Sequence, residues 1–286
     1  MSKPKIGLFI GMSPDQDVLE AKFQRVQSFG LHSCQLMSWD VEERTPESAE
    51  FVLSLCDKYD ISISNLWAGW TPYPTGKHYG SMYELWGLVP PAFRVHRLQE
   101  LIQAANWAKL LGVRDIATHC GFIPENPNDP IYPGFIATLE CLLTTIKANG
   151  QYFNFETGQE TPATILRTIE DAGGENLGVN LDTANLILYG KGNPVDALDM
   201  FGKYVRGTHC KDGFFPTDGK HLGKEVALGE GKANIPEVVR KLHALGYKGA
   251  FTIEREIPQS EQKDRDIRNA IALLDREISK YNWDFE

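Results

Sequence analysis

Apolar residues along this chain keep two rhythms in turn. Short apolar runs bounded by glycine, proline or polar clusters alternate with longer stretches whose apolar positions recur every three or four residues. The first rhythm predicts buried strands and the second amphipathic helices. Residues 5–10 predict a first strand, and a helix over 18–29 follows, stopped by Gly30. The pair recurs at 33–37 and 48–59, and residues 61–67 alternate as a third strand. A long helix over 93–111 ends at Gly112, a fourth strand covers 113–119, and a proline-rich loop leads into a helix reaching about Ala148. Later apolar runs close on Glu156, Asp182, His209 and Glu254, with helices over 161–171, after Pro194, over 236–245 and over 261–279.

Eight strand–helix repeats in strict alternation predict an α/β fold, a (β/α)8 TIM barrel. A doubly wound open sheet would place a glycine-rich turn after its first strand, and Gly11-Met12-Ser13-Pro14 is not one. Residues 1–286 read as a single barrel domain with two irregular segments, a long loop at about 68–91 and an excursion at about 211–234. The loop carries Trp70, Tyr73, His78, Tyr79, Tyr83 and Trp86, which suits either a lid over a site or a contact with a second subunit.

Composition narrows the function classes. With 42% hydrophobic and 23% charged residues, the chain has the usage of an ordinary soluble protein able to bury a full core. A net charge of −9 argues against nucleic acid and anionic membranes as partners, which call for a basic footprint. The apolar run near the start is too short for a secretory signal, and no run approaches the ~20 residues of a membrane span. The five cysteines form no CxxC pair, so a cytoplasmic protein with reduced thiols is expected. Cys120 and Cys210 each follow a strand-end histidine and are expected to be small wall residues rather than ligands.

The candidate chemistry lies at the strand ends. The first two gaps among Glu156, Asp182, His209 and Glu254 each match the roughly 30 residues of one strand–helix unit, and the third is one unit plus the excursion. On consecutive parallel strands, all four side chains meet at the C-terminal mouth of the barrel. Three carboxylates and an imidazole there would repel one another without a cation between them. Three oxygen donors and one nitrogen donor suit one divalent metal ion, Mn²⁺, Mg²⁺, Co²⁺ or Zn²⁺.

Several stretches carry a family resemblance: Thr118-His-Cys-Gly-Phe122, Phe155-Glu-Thr-Gly-Gln-Glu160, Asn180-Leu-Asp-Thr-Ala-Asn185, His209-Cys-Lys-Asp212, Leu228-Gly-Glu-Gly231 and Ile253-Glu-Arg-Glu256. In this order they resemble the sugar phosphate isomerase/epimerase group of the xylose-isomerase-like barrel superfamily. The resemblance implies a metal-dependent isomerase or epimerase of a small sugar or sugar phosphate, and a homodimer or tetramer. It implies Glu156 and Glu254 as catalytic residues that also ligate metal, with Asp182 and His209 completing the ligand set. One glutamate would take a proton from carbon beside a carbonyl and the other return it to the opposite face. A dehydratase of a cyclic polyol or keto acid uses the same first step, and a non-catalytic sugar-binding barrel is a third reading.

Three more residues are substrate-binding candidates. His119 suits either a contact to a sugar hydroxyl or a place in the wall. Lys211 suits either a cationic contact or an ion pair with Asp212 or Glu230. Asn185 stands where many superfamily members carry histidine; it suits a sugar hydroxyl and weakens any likeness to the apurinic endonuclease branch, whose zinc site uses that histidine. No arginine follows Cys210 where several ketose epimerases place a substrate-binding one. The turn Gly229-Glu230-Gly231 suits either a phosphate on its backbone N–H groups or a plain tight turn.

Overall fold

The computed structural model describes residues 3–71 and 86–283. Its strands are β1 (Ile6–Gly11), β2 (Ser33–Ser38), β3 (Ser62–Ala68), β4 (Asp115–Thr118), β5 (Tyr152–Glu156), β6 (Leu177–Asp182), β7 (Val205–Cys210), β8 (Asp212–Phe214), β9 (Lys224–Val226) and β10 (Phe251–Ile253). All but β8 and β9 are parallel and close into a barrel in the order β1-β10-β7-β6-β5-β4-β3-β2. Around it lie helices α1 (Gln16–Ser28), α2 (Pro46–Tyr59), α3 (Arg94–Leu110), α4 (Tyr132–Lys147), α5 (Pro162–Ala172), α6 (Asn185–Leu188), α7 (Pro194–Phe201), α8 (Ile235–Ala244) and α9 (Glu261–Ile278). The expected (β/α)8 barrel is therefore the fold.

Helix boundaries follow local chemistry. Asp15, Thr45, Thr161, Asn193 and Ser260 each accept a hydrogen bond from a free N–H of the first turn of the helix they precede. Gly112 follows α3 at φ 71°, a backbone shape that a side chain would strain.

The two faces of the barrel sheet differ in kind. Outward strand positions such as Leu36, Leu66, Ile116, Phe153, Phe155, Val179 and Phe251 join the continuous apolar core with helix residues Phe23, Val52, Phe135 and Leu139. Each fully buried Phe or Leu contributes roughly 2–3 kcal/mol. Inward positions include Gln35, Asn65, Asn154, Asn180 and Thr252, all buried. Gln35 on β2 donates to Asn180 on β6 at 3.0 Å; the two strands are not neighbours, so this bond crosses the barrel interior. A cavity of about 660 Å³ opens at the N-terminal end of the barrel, lined by Ser33, Gln35, Asn65, Asp115 and Arg206 among others.

Two expected strands are shorter than their apolar runs. The run at 113–119 yields Asp115–Thr118 and the run ending at Glu254 yields Phe251–Ile253, so His119 and Glu254 each stand one residue past a strand. The excursion holds an antiparallel pair, β8 with β9, that periodicity does not signal. Its base is knotted by Asp212, whose carboxylate accepts from the backbone N–H groups of Gly213, Gly229, Gly231 and Ala233 at 2.8–3.0 Å.

The described ends of the long loop are fixed by α3. The buried Arg97 donates to the carbonyls of Thr71 and Gly87 and lies over the Trp70 ring, while Arg94 donates to the carbonyls of Leu88 and Val89. Tyr73, His78, Tyr79 and Tyr83 lie outside the described residues. Among the described residues, no helix is long and apolar enough to cross a membrane.

Candidate metal centre

Register assembles the four strand-end residues. Glu156 on β5 is level with Asn180 on β6, Asp182 is level with His209 on β7, and His209 is level with Thr252 on β10. Glu254, just beyond β10, completes the set. One ligand atom from each of Glu156, Asp182, His209 and Glu254 lies within 4.8 Å of the others. The sequence expectation that these four meet at the C-terminal mouth holds in space.

Their hydrogen bonds leave the donor atoms turned towards one another. His209 Nδ1 is 2.9 Å from Glu156 Oε1 and 3.3 Å from Glu254 Oε2. Asp182 Oδ1 accepts from the N–H groups of Ala184 and Asn185, both at 2.8 Å, which fixes the carboxylate. Its other oxygen, Oδ2, is fully buried, stands 3.5 Å from Lys211 and makes no hydrogen bond among the described residues. A carboxylate oxygen left so in a site of three acids fits a divalent cation, as does the mix of oxygen and imidazole donors.

Charge inside the cluster is divided unevenly. Burial pushes Glu254 up, but Lys211 and His209 outweigh it and hold the carboxyl well below the usual range. Burial likewise opposes ionisation of Glu156, which His119 and His209 bring below its ordinary value. Asp182 is pushed up to about 8, chiefly by burial, with Lys211 opposing. His209 is raised well above its ordinary value, because Glu254 and Glu156 outweigh its burial.

The other expected site residues take definite places. Lys211 is 2% exposed and lies 3.2 Å from Glu254, 3.5 Å from Asp182 and 2.5 Å from Glu256. Its ion pairs are with these acids rather than with Asp212 or Glu230, since the Asp212 carboxylate is taken by the backbone knot. The same knot occupies the Gly229 and Gly231 N–H groups, so the turn is a carboxylate-held turn and not a phosphate cradle. His119 Nε2 is 3.5 Å from Glu156 Oε2, and its Nδ1 has no partner among the described residues. Asn185 meets the cluster through its backbone N–H. Cys120 and Cys210 are buried outside the ligand set, and burial pushes the Cys210 thiol up to about 12.

Sequence reasoning missed four participants. The Trp67 indole N–H donates to Glu156 Oε2 across β4. Trp67 packs edge-on to Trp39 at 4.9 Å, and Trp86 lies 5.5 Å from His119, giving the mouth an aromatic wall. Gln35 meets His209 Nε2 at 2.8 Å. Glu256 is a third acid on Lys211, and the nearest of the three. Glu160 is buried with one oxygen unpartnered among the described residues, and burial pushes it up to about 8. Trp67 closes its apolar run as the four clustered residues do, which was the available signal.

Comparison with known proteins agrees with this architecture. Residues 23–277 match the family described as xylose isomerase-like TIM barrel. A xylose isomerase domain protein from Planctomyces limnophilus is 33% identical, with a TM-score of 0.89 over 98% of this chain and 99% of that one. A D-tagatose 3-epimerase-like protein shares the fold at 18% identity, with a TM-score of 0.73 over 96% of this chain and 97% of its own. So does a xylose isomerase-like TIM barrel protein from Mycobacterium smegmatis, in complex with magnesium, at 16% identity and a TM-score of 0.72 over 98% and 97%.

Proposed function

The chain belongs to the xylose isomerase-like TIM barrel family, and from that premise we propose that it is a divalent-metal-dependent isomerase or epimerase of a small sugar or sugar phosphate. The observation that carries this reading is the convergence of Glu156, Asp182, His209 and Glu254 within 4.8 Å at the barrel mouth. The D-tagatose 3-epimerase-like fold relative and the magnesium-bound one support it.

Glu156, Asp182, His209 and Glu254 would hold the ion. Bound there, it would supply a Lewis acid for the oxygens beside the reacting carbon and ease the build-up of enediolate charge. The remaining work falls to the chain itself. One glutamate accepts the proton as the C–H bond breaks and the electron pair stays on the substrate. The other glutamate, which must first take a proton from solvent, delivers it to the opposite face and so inverts that carbon, while the first glutamate gives its proton up to solvent. Lys211 keeps Glu254 ionised, and the Trp67 indole and His119 hold Glu156. His119, beside Glu156, and the buried Asn185 and Lys211 are the candidate contacts to sugar hydroxyls. The indole wall suits the apolar C–H face of a sugar ring.

The test is incubation of free ketoses, ketose phosphates and inososes with Mn²⁺ and the protein in D₂O, followed by chelation and NMR. Deuterium beside the carbonyl of one compound, an accumulating epimer or aldose, and an inert Glu254→Gln variant are the expected result. Exchange followed by loss of water would assign a dehydratase instead. No ion-dependent exchange in any compound would overturn the reading.

A further inference from the structure

A glutamine on the opposite side of the barrel points at the same histidine. We infer that Gln35 is a positioning residue that dictates which nitrogen of His209 faces the ion, an inference that rests on the metal reading above.

The geometry allows one assignment of protons. Gln35 Nε2 lies 3.2 Å from the backbone carbonyl of Thr208, which can only accept, so this end of the amide is the NH₂. The same NH₂ donates to Asn180 Oδ1 at 3.0 Å. The amide oxygen is thereby turned to His209 Nε2 at 2.8 Å, and an oxygen there requires Nε2 to carry a proton. With Nε2 as donor, the neutral imidazole has its lone pair on Nδ1, the atom facing Glu156 and Glu254. The ring plane is held from a third side by Phe9, packed against it at 4.7 Å between centroids.

Three residues on two strands keep the amide in this orientation. β7 supplies the Thr208 carbonyl, β6 supplies Asn180, and Gly207 leaves the space in which the amides converge. A Cβ at Gly207 would sit 2.4 Å from Asn180 Oδ1, 3.2 Å from Asn65 Nδ2 and 3.4 Å from Gln35 Nε2. Gln35 therefore holds the proton on Nε2, so the proton an arriving ion displaces is the one on Nδ1. Partners of this kind behind a ligating histidine typically change metal affinity by ~10–100-fold when removed.

The experiment compares Mn²⁺ dissociation constants, from competition with a chelating dye, for the wild type, Gln35→Met and Gln35→Glu. Gln35→Met keeps the length of the side chain without the amide and is expected to weaken Mn²⁺ by ~10–100-fold. Gln35→Glu retains an oxygen for Nε2–H but sets its second oxygen against the Thr208 carbonyl and Asn180 Oδ1, and is expected to fall between the wild type and Gln35→Met. Folding of each variant is checked by circular dichroism. Equal affinities for the wild type and a folded Gln35→Met would overturn the inference while leaving the metal reading intact. Failure of the wild type to bind Mn²⁺, Mg²⁺, Co²⁺ or Zn²⁺ would overturn both. A measurement needing no variant at position 35 is ¹⁵N-histidine NMR of the Zn²⁺-loaded wild type, with His209 assigned by its absence from His209→Asn. A protonated Nε2 is expected, and a protonated Nδ1 would overturn the inference.

Discussion

The outer and inner faces of one barrel sheet teach opposite lessons about burial. Both are buried, yet Phe153 and Phe155 face apolar helices while Asn154 and Glu156, their immediate neighbours in β5, face the interior. TIM barrels are commonly filled with branched apolar layers. Here amides and carboxylates fill much of that space, and Asn65, Asn154 and Asn180 keep polar atoms without partners among the described residues. The outer face stabilises the fold. The inner face draws on that stability to hold groups that would not choose one another's company.

The sharpest way to break this contrast is at the outer face. Phe155→Ala should cost ~3–5 kcal/mol in urea denaturation, through lost burial and the cavity left behind, although it changes no group of the cluster. A smaller loss would mean that the helical layer collapses into the gap.

Next in size is the pH dependence of the ion-free protein. Glu160 is pushed up to about 8 in the fold from an ordinary 4.5. Between these values the unfolded chain has released a proton that the folded chain keeps, so this group's contribution is full below 4.5 and falls as the pH rises. Glu160→Gln should therefore match the wild type near pH 5 and exceed it at pH 8 by on the order of a few kcal/mol. Urea titrations at the two pH values check both magnitude and sign.

Trp67→Phe keeps an aromatic ring and removes one donor to Glu156. A hydrogen bond to a charged group is worth ~1.5–3 kcal/mol, so kcat/KM should fall roughly ten- to a hundredfold with a small change in Tm. An equal fall in stability and no change in turnover would place Trp67 with the outer face. The smallest effect should come from Asn65→Leu, which replaces an amide without partners among the described residues by an apolar group. It should leave stability within ~1 kcal/mol of the wild type. A larger loss would show that ordered water satisfies the amide.

The same contrast explains what was legible in the sequence. Alternating strand and helix periods express the outer face, because every outward residue must be apolar whatever the site does. The four strand-end residues of the cluster were legible because each closes an apolar run, and register does the rest. Gln35 was not, since its partner His209 lies across the barrel and 174 residues along the chain. Trp67 reads as one more buried aromatic until its indole N–H is seen to meet Glu156. The partners of Lys211 were misjudged for a local reason. Asp212 is adjacent in sequence, but its carboxylate is spent on backbone N–H groups of the following turn, leaving Lys211 to the acids at the mouth. The hairpin of β8 and β9 has strands too short for a period to register.

That Asp212 knot makes the excursion a detachable cassette. Its stem is sealed to the barrel next to Lys211, while its tip at 217–221 is exposed. Insertions at Gly219 are expected to leave the lysine below in place, because the Asp212 carboxylate clamps both ends of the segment at its root and Glu225 ties β9 to Arg255 and to the Glu256 N–H. The barrel thus offers a ready splice point for a reporter domain or for the new ends of a circular permutant, with the chemistry on one side of the clamp and the freedom to vary on the other.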